Sequence, residues 1–193
     1  PDVAGVRDMI LQLDIWLNDK ERAEMHARQV LRINRNHALA NYVMGHLRLN
    51  MRQYGEAEDY LRRSVEAAPA LASLNDYAEC LRRMKRYEDA ERAARDAIAK
   101  NANLYIVWET LASILMDTDR LDEAEEALTK SLELDETDMR THVSMARLQM
   151  RKGNIARARE LVGIIRSRQD ELPPYEMELL QELIADLERR ANR

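Results

Sequence analysis

The stretch RYEDAERAARDAI, from Arg86 to Ile98, decides the fold because near-copies of it recur on both sides. The clearest copies are QYGEAEDYLRRSV (53–65) and RLDEAEEALTKSL (120–132), and two weaker ones are DKERAEMHARQVL (19–31) and NIARARELVGII (154–165). The alanines that the copies share are Ala23, Ala57, Ala90, Ala124 and Ala158, at spacings of 34, 33, 34 and 34 residues. A fixed period of this size is typical of a solenoid of stacked helix pairs.

The composition favours an all-α fold. Only five glycines and four prolines occur among 193 residues, and the strong helix formers leucine, alanine, glutamate and arginine dominate. We therefore predict that residues 1–193 form a single all-α array. Its repeats are expected at about 4–37, 38–71, 71–104, 105–138 and 139–170, followed by a one-sided capping helix at about 175–190 that covers the apolar flank of the last repeat.

Three residues carry local predictions. Asp19 follows a break in the apolar pattern, so it is expected to cap the next helix. Gly45 falls in the middle of a predicted helix, where a glycine costs about 1 kcal/mol, and we expect it to admit a neighbouring helix closely. Ala90 is expected to lie where the two helices of its own repeat cross.

The charge balance argues against two classes of partner. A net charge of -5 and a pI near 5.5 give no general reason to expect nucleic acid or an anionic membrane surface. No apolar run approaches the roughly 18 residues of a membrane span. A single cysteine, Cys80, excludes an intramolecular disulfide and fits a reducing compartment. We leave the compartment open and favour the cytoplasm slightly over the periplasm.

The repeated units resemble the tetratricopeptide repeat family, whose 34-residue unit is a helix-turn-helix. The fourth repeat matches the family pattern through Trp108, Leu111, Ala112, Leu115, Ala124 and Leu128, and the second through Met44, Gly45, Ala57, Leu61 and Pro69. The first repeat departs most, because Leu11 replaces the small residue and Arg35 the terminal proline. The resemblance implies a right-handed superhelical solenoid whose first helices line a concave groove. Such grooves usually bind a peptide or a helix of another protein.

The family's groove positions fall on a defined set of residues. They are Trp16; Tyr42, His46, Leu49 and Asn50; Asn75, Glu79, Arg82 and Arg83; Glu109, Ser113, Met116 and Asp117; and Arg140, Val143, Arg147, Met150 and Arg151. The groove would then have a polar and aromatic entrance, a basic ring, an acidic ring and a second basic ring, which could hold a complementary chain in register. Any one of these charges alone is more often a solvated surface residue. Exposed Tyr42, Leu49, Met116 and Met150 would instead indicate a partner.

The sequence lacks one recognition device of the family. Some members grip a C-terminal carboxylate with Lys, Asn, Asn, Lys and Arg on three successive first helices. At the corresponding positions the last window of this chain has Asn75, Glu79, Thr110, Arg140 and Ser144, and the earlier windows match no better. We therefore expect no binding of the chaperone C-terminal type.

Signals of catalysis are absent from the sequence. It contains no phosphate-binding glycine loop, nucleophile elbow or HExxH motif. The four histidines, His26, His37, His46 and His142, lack metal-ligand spacing to one another and to Cys80. We predict a non-enzymatic protein with no cofactor and no metal site.

Three kinds of partner remain in view. The leading hypothesis is another protein, bound as a peptide or a helix in the groove, without insertion into a membrane. The alternative is a homodimer formed through the terminal helices. RNA binding is a third class, supported only by Arg82, Arg83, Arg147 and Arg151 and opposed by the acidic pI.

Overall fold

The fold of the chain, seen in a computed structural model, is all-α. The structure describes residues 8–9, 11–12, 19–168, 170 and 174–191, so Trp16 lies outside the described residues. Ten helices have defined bounds there: α1 Lys20–Ile33, α2 Ala38–Asn50, α3 Tyr54–Ala67, α4 Leu71–Arg83, α5 Tyr87–Lys100, α6 Tyr105–Asp117, α7 Leu121–Leu134, α8 Met139–Arg151, α9 Ile155–Ser167 and α10 Pro174–Ala191. No helix in this described part combines the length and the apolar character that crossing a membrane requires.

The chain divides into two compact units, Pro1–Asn101 and Ala102–Arg193, which we call the N-terminal unit and the C-terminal unit. In the N-terminal unit α2 packs against α3 and α4 against α5, while α1 contacts α2 and α3 contacts α4. Small and branched apolar side chains close these contacts. Ala57, Leu61, Ala78, Leu81 and Ala90 are all fully buried. The arrangement of the chain as a single array stays a prediction.

Gly45 allows α2 and α3 to approach closely, as predicted. A Cβ atom placed on this residue would lie 2.6 Å from Leu61 Cγ and 2.9 Å from Leu61 Cδ2. Leu61 is itself fully buried, so it has little room to retreat. The missing side chain of the glycine is therefore replaced by a leucine of the next helix.

The predicted cap and the turns explain where helices begin and end. The carboxylate of Asp19 accepts a hydrogen bond of 3.0 Å from the backbone N–H of Arg22, which confirms it as the N-cap of α1. The turns after α2, α4, α6 and α8 each hold one residue in the left-handed region, namely Arg52, Lys85, Asp119 and Gly153 at φ of 59°, 61°, 62° and 80°. In each turn the backbone N–H of the next residue donates to the carbonyl five residues earlier, for example from Arg86 to Leu81 at 2.9 Å. This pattern is a Schellman motif, which reverses the chain within two residues.

In the C-terminal unit α6 packs against α7 and α8 against α9, and α7 contacts α8. The last helix, α10, packs on both α8 and α9. Leu180, Leu183 and Leu187 of α10 are buried there, so this helix covers the apolar flank of the preceding pair. The unit also buries a polar link, since the hydroxyls of Ser131 and Thr141 lie 3.0 Å apart.

Candidate functional site

The first helices of the N-terminal unit bring several predicted groove residues together. We define the N-terminal face by Tyr42, His46 and Asn50 of α2 and by Asn75, Asp76, Glu79, Arg82 and Arg83 of α4. Residues three and four apart share one side of a helix, so each set forms a row along its helix. The two rows meet because His46 Nδ1 lies 2.7 Å from Asp76 Oδ2.

His46 is the centre of a fixed polar cluster on this face. Its second ring nitrogen lies 3.0 Å from Asn50 Nδ2, and its ring centroid lies 5.8 Å from that of Tyr42. The hydrogen bond and the charge of Asp76 raise the pKa of His46 above its ordinary value, although burial opposes that shift. Burial and the nearby Asp76 carboxylate also raise the pKa of Tyr42. The His46 side chain is nevertheless 46% exposed, so the cluster is both ordered and accessible.

The basic ring predicted on this face is partly neutralised. Arg82 donates two hydrogen bonds to the Glu79 carboxylate, at 2.7 and 2.8 Å, and Arg83 donates one at 2.6 Å. Burial alone would raise the pKa of Glu79, but the two guanidinium groups outweigh it and lower that pKa. The three side chains therefore form one ionised cluster with a net charge of about +1.

Asn75 has a different environment from its neighbours. It is buried, and its Oδ1 atom accepts no hydrogen bond from any described residue. Helical spacing puts Asn75 in line with Glu79 and Arg82 on the N-terminal face. A buried amide oxygen without a donor is destabilising by about 1–3 kcal/mol, so a donor from a bound partner would be favourable here.

The C-terminal unit builds a corresponding face from α6 and α8, which contact each other directly. We define the C-terminal face by its predicted groove residues Glu109, Ser113, Met116, Asp117, Arg140, Val143, Arg147, Met150 and Arg151. Glu109 Oε1 accepts hydrogen bonds from Ser113 Oγ at 3.1 Å and from Ser144 Oγ at 2.7 Å. Arg140 donates to the hydroxyl of Tyr105 at 3.3 Å and pairs with Asp138 at 3.5 Å.

The expectation that Met116 and Met150 are exposed is wrong. They are only 3% and 4% exposed, and Ser113 and Val143 are also buried. Arg151 of α8 also links the two first helices, since it donates both to the carbonyl of Met116 and, at 2.9 Å, to Asp119. The two methionines fill the interior instead of presenting a surface. Tyr42 and Leu49 in the N-terminal unit are half-buried.

The predicted groove residues did not include Asp76 and Ser144, which complete the two faces. Asp76 lies 30 residues after His46, and Ser144 lies 35 residues after Glu109. Two polar residues separated by about one repeat are neighbours on successive first helices, and this spacing is the signal that could have found both pairs.

The remaining reactive groups are placed for packing. Cys80 is buried and its Sγ lies 3.3 Å from the carbonyl of Tyr54, and burial raises the pKa of its thiol to about 12. Trp108 is half-buried and donates its Nε1–H to the carbonyl of Ala102 at 2.8 Å. Among the described residues no group of three or more His, Cys, Asp or Glu side chains is arranged to hold a metal ion.

Solved structures with the same fold come from several bacterial proteins. PilF of Pseudomonas aeruginosa has a TM-score of 0.72 at 21% identity, covering 97% of this chain and 87% of its own. MamA from Desulfovibrio magneticus RS-1, from its residue 41 to the end, has a TM-score of 0.70 at 19% identity, covering 89% of this chain and 99% of its own. YrrB, described as a TPR protein with an unusual peptide-binding site, has a TM-score of 0.64 at 20% identity, covering 89% of this chain and 87% of its own.

Family models described as tetratricopeptide repeat match residues 42–104, 82–139 and 115–183 of the chain. No curated protein matches it over its sequence. Proteins built from this repeat are generally non-catalytic scaffolds that bind other proteins. The chain belongs to the tetratricopeptide repeat family.

Proposed function

We propose that the protein is a non-enzymatic scaffold that binds a peptide or a helix of a partner protein on its first helices, chiefly on the N-terminal face. The observation that supports this most is the ordered and accessible cluster around His46, which Asp76 and Asn50 hold from both ring nitrogens at 2.7 and 3.0 Å. Side chains fixed before binding lose little conformational entropy when a partner arrives.

The chemistry of the face suits an extended chain. Asn50 and Asn75 carry amides that can both donate to and accept from a peptide backbone, and Asn75 Oδ1 has no donor among the described residues. The Glu79, Arg82 and Arg83 cluster adds a net positive charge at the far end of α4. The ring of Tyr42 offers an apolar surface beside His46. A peptide with a polar backbone contact, one apolar side chain and one acidic side chain would fit these groups.

The direct test is affinity capture from the lysate of the source organism with His46→Ala/Asn50→Ala against the parent. The matched control is Glu91→Ala/Arg95→Ala, an ion pair of 2.7 Å on the second helix α5, away from the face. Proteins captured by the parent and by the control but lost by the face variant would support binding there. Capture of the same proteins by all three would contradict it. If the capture supports binding on the face, a photoreactive amino acid at position 50 would identify the peptide that contacts it.

Self-association remains the second candidate, and one observation favours α1 over α10 as its surface. Met25 and Ile33 of α1 are 47% and 67% exposed, whereas Leu180, Leu183 and Leu187 of α10 are buried within the C-terminal unit. Sedimentation over a range of concentrations separates the two hypotheses. A dimer that Met25→Glu/Ile33→Glu converts to a monomer would support self-association through α1, and a monomer at all concentrations would exclude it.

A further inference from the structure

A shallow groove runs between α9 and α10 in the C-terminal unit. It is lined by Arg159, Val162, Gly163 and Arg166 of α9 and by Ile184 and Leu187 of α10. Val162 and Leu187 are buried and Ile184 is half-buried, so they form an apolar floor. Arg159 and Arg166 are both exposed and stand two helical turns apart, about 10 Å, along one edge. We call this surface the α9–α10 groove.

Arg159 is positively charged at a repeat position that is negatively charged in every other repeat. The residue after each repeated alanine is Glu24, Glu58, Glu91, Glu125 and finally Arg159. Several of these glutamates reach the next first helix: Glu24 pairs with Arg48 at 2.6 Å, Glu58 accepts from the Tyr77 hydroxyl at 3.3 Å, and Glu125 accepts from Gln149 at 2.7 Å. Arg159 makes no hydrogen bond or ion pair with any residue that the structure describes. The position that links one helix pair to the next thus carries a positive charge only in the last pair.

Arg166 also places a positive charge at a repeat position that has no charge in the earlier repeats. The corresponding residues of the earlier repeats are Leu31, Val65, Ile98 and Leu132, which are all half-buried. Arg166 is exposed and, like Arg159, has no ion-pair partner in the described part of the chain. By contrast Arg157, on another side of α9, pairs with Glu160 at 2.7 Å. The two unpaired arginines of α9 therefore both face the α9–α10 groove.

Gly163 admits no close neighbour from the part of the chain that the structure describes. It is the ninth of thirteen residues of α9, where glycine is less favourable than alanine by about 1 kcal/mol. No heavy atom lies within 4 Å of a Cβ placed there, whereas the helix glycine Gly45 is filled by Leu61. The groove is therefore open above Gly163, where a side chain from outside the unit can enter.

From these three observations we infer that the α9–α10 groove docks an amphipathic helix of a partner protein, with acidic residues along one edge. Its apolar stripe lies on Val162, Ile184 and Leu187, and one leucine-sized side chain enters above Gly163. Carboxylates seven residues apart pair with Arg159 and Arg166. Glu188 lines the opposite side of the groove and faces a basic residue at the other edge of the bound helix.

The test uses three synthetic helical peptides of about 20 residues, long enough to hold a helix once bound. All share a leucine stripe and differ at two edge positions seven residues apart, which carry Glu, Gln or Lys. Fluorescence anisotropy measures their affinity for the parent chain. We expect the Glu peptide to bind roughly threefold to tenfold more tightly than its Gln twin, since exposed ion pairs contribute modestly. For Arg159→Glu/Arg166→Glu we expect the order to invert, so that the Lys peptide binds best.

Two further variants test the steric part of the inference. Gly163→Leu fills the floor and is expected to weaken the Glu peptide at least about tenfold. Gly55→Leu is its matched control, because a Cβ placed on Gly55 also meets open space, and Gly55 lies on α3 of the N-terminal unit. Arg157→Glu is the control for charge. Both controls are expected to bind as the parent does, and circular dichroism checks that every variant is folded.

Several results would overturn the inference. Docking of an acidic helix would be contradicted if the Glu peptide failed to bind or if the Glu and Gln peptides bound equally well. An unchanged order of affinities in Arg159→Glu/Arg166→Glu would contradict it as well. A parent dimer that dissociates in Arg159→Glu/Arg166→Glu would assign the groove to a second copy of this chain instead. Variants of the N-terminal face leave these measurements unaffected, so the outcome is independent of the peptide-binding proposal above.

Discussion

Two gaps between neighbouring helices, one in each unit, contain the same residue type and differ in what fills them. At the α2–α3 contact a Cβ placed on Gly45 would lie within 2.9 Å of two Leu61 side-chain atoms, so the gap is closed from inside the chain. In the α9–α10 groove a Cβ placed on Gly163 would meet no neighbouring helix within 4 Å, so the gap is open in the described part of the chain. The period of the sequence sets where helices lie, but the side chain of the neighbouring helix decides whether the space between them is core or surface.

This difference explains why a repeat motif says little about function by itself. Leu61 and Gly45 are both family-pattern residues, and the absence of a side chain at Gly45 leaves the space that Leu61 occupies. Arg159, Gly163 and Arg166 lie at positions where the earlier repeats have other residue types. We therefore expect exposed departures from the repeat to mark surfaces with a use of their own, and agreement with the repeat to mark packing.

The same substitution at the two glycines tests this comparison with the largest expected effect. Gly45→Leu forces a side chain into Leu61 and is expected to lower the free energy of unfolding by about 3 kcal/mol or more. Gly163→Leu places a good helix former in open space and is expected to raise it by up to about 1 kcal/mol. Urea denaturation of both variants measures the pair. Equal midpoints for the two would mean that the gaps do not differ.

A second pair of variants measures how tightly the helices pack elsewhere in the N-terminal unit. Ala90 is fully buried on α5, and Ala90→Leu is expected to lower the free energy of unfolding by about 1–3 kcal/mol through overpacking. Ala99→Leu, at an exposed position of the same helix, is the control and should leave stability within about 0.5 kcal/mol. A melting curve of Ala90→Leu that matches the parent would show that the helix contact is looser than described.

The turns provide a smaller contrast between the units. Gly153 has φ of 80°, so Gly153→Ala is expected to lower the free energy of unfolding by about 1 kcal/mol or slightly more. Lys85 occupies the same turn position with φ of 61°, and Lys85→Gly relieves that conformation while making the unfolded chain more flexible. The two effects are of similar size, so we expect a net change within about 0.5 kcal/mol. Thermal melts of both variants measure the contrast, which a stabilised Gly153→Ala would refute.

The smallest effect concerns the polar cluster of the N-terminal face. Because Asp76 raises the folded-state pKa of His46, the contribution of His46 to stability is complete below its unfolded pKa, near 6.5. It is lost as the pH rises through the raised pKa. The stability advantage of the parent over His46→Gln should therefore be larger at about pH 6 than at about pH 9. Denaturant titrations at both pH values measure this, and a difference that does not vary with pH would separate His46 from Asp76.

The helices and their close contacts could be predicted because they follow from local residue types. The repeated alanines and Gly45 act through small or missing side chains, and Asp19 caps a nearby backbone N–H. A sequence shows all of these features directly. The burial of Met116 and Met150 could not be predicted, since it depends on how helices that are distant in the sequence pack together. By contrast, the reduction of the basic ring at Arg82 and Arg83 by Glu79 could have been predicted, because these residues are three and four apart on one helix.

The buried position of Cys80 has a practical consequence for following this protein in solution. A thiol with a pKa near 12 and no solvent contact is almost entirely protonated at neutral pH and reacts slowly with maleimides. A cysteine introduced at an exposed position, such as Ala156 on α9, would therefore be labelled selectively without removing the native one. Dyes attached in this way at two exposed positions could report distances within single molecules while Cys80 keeps its place in the core.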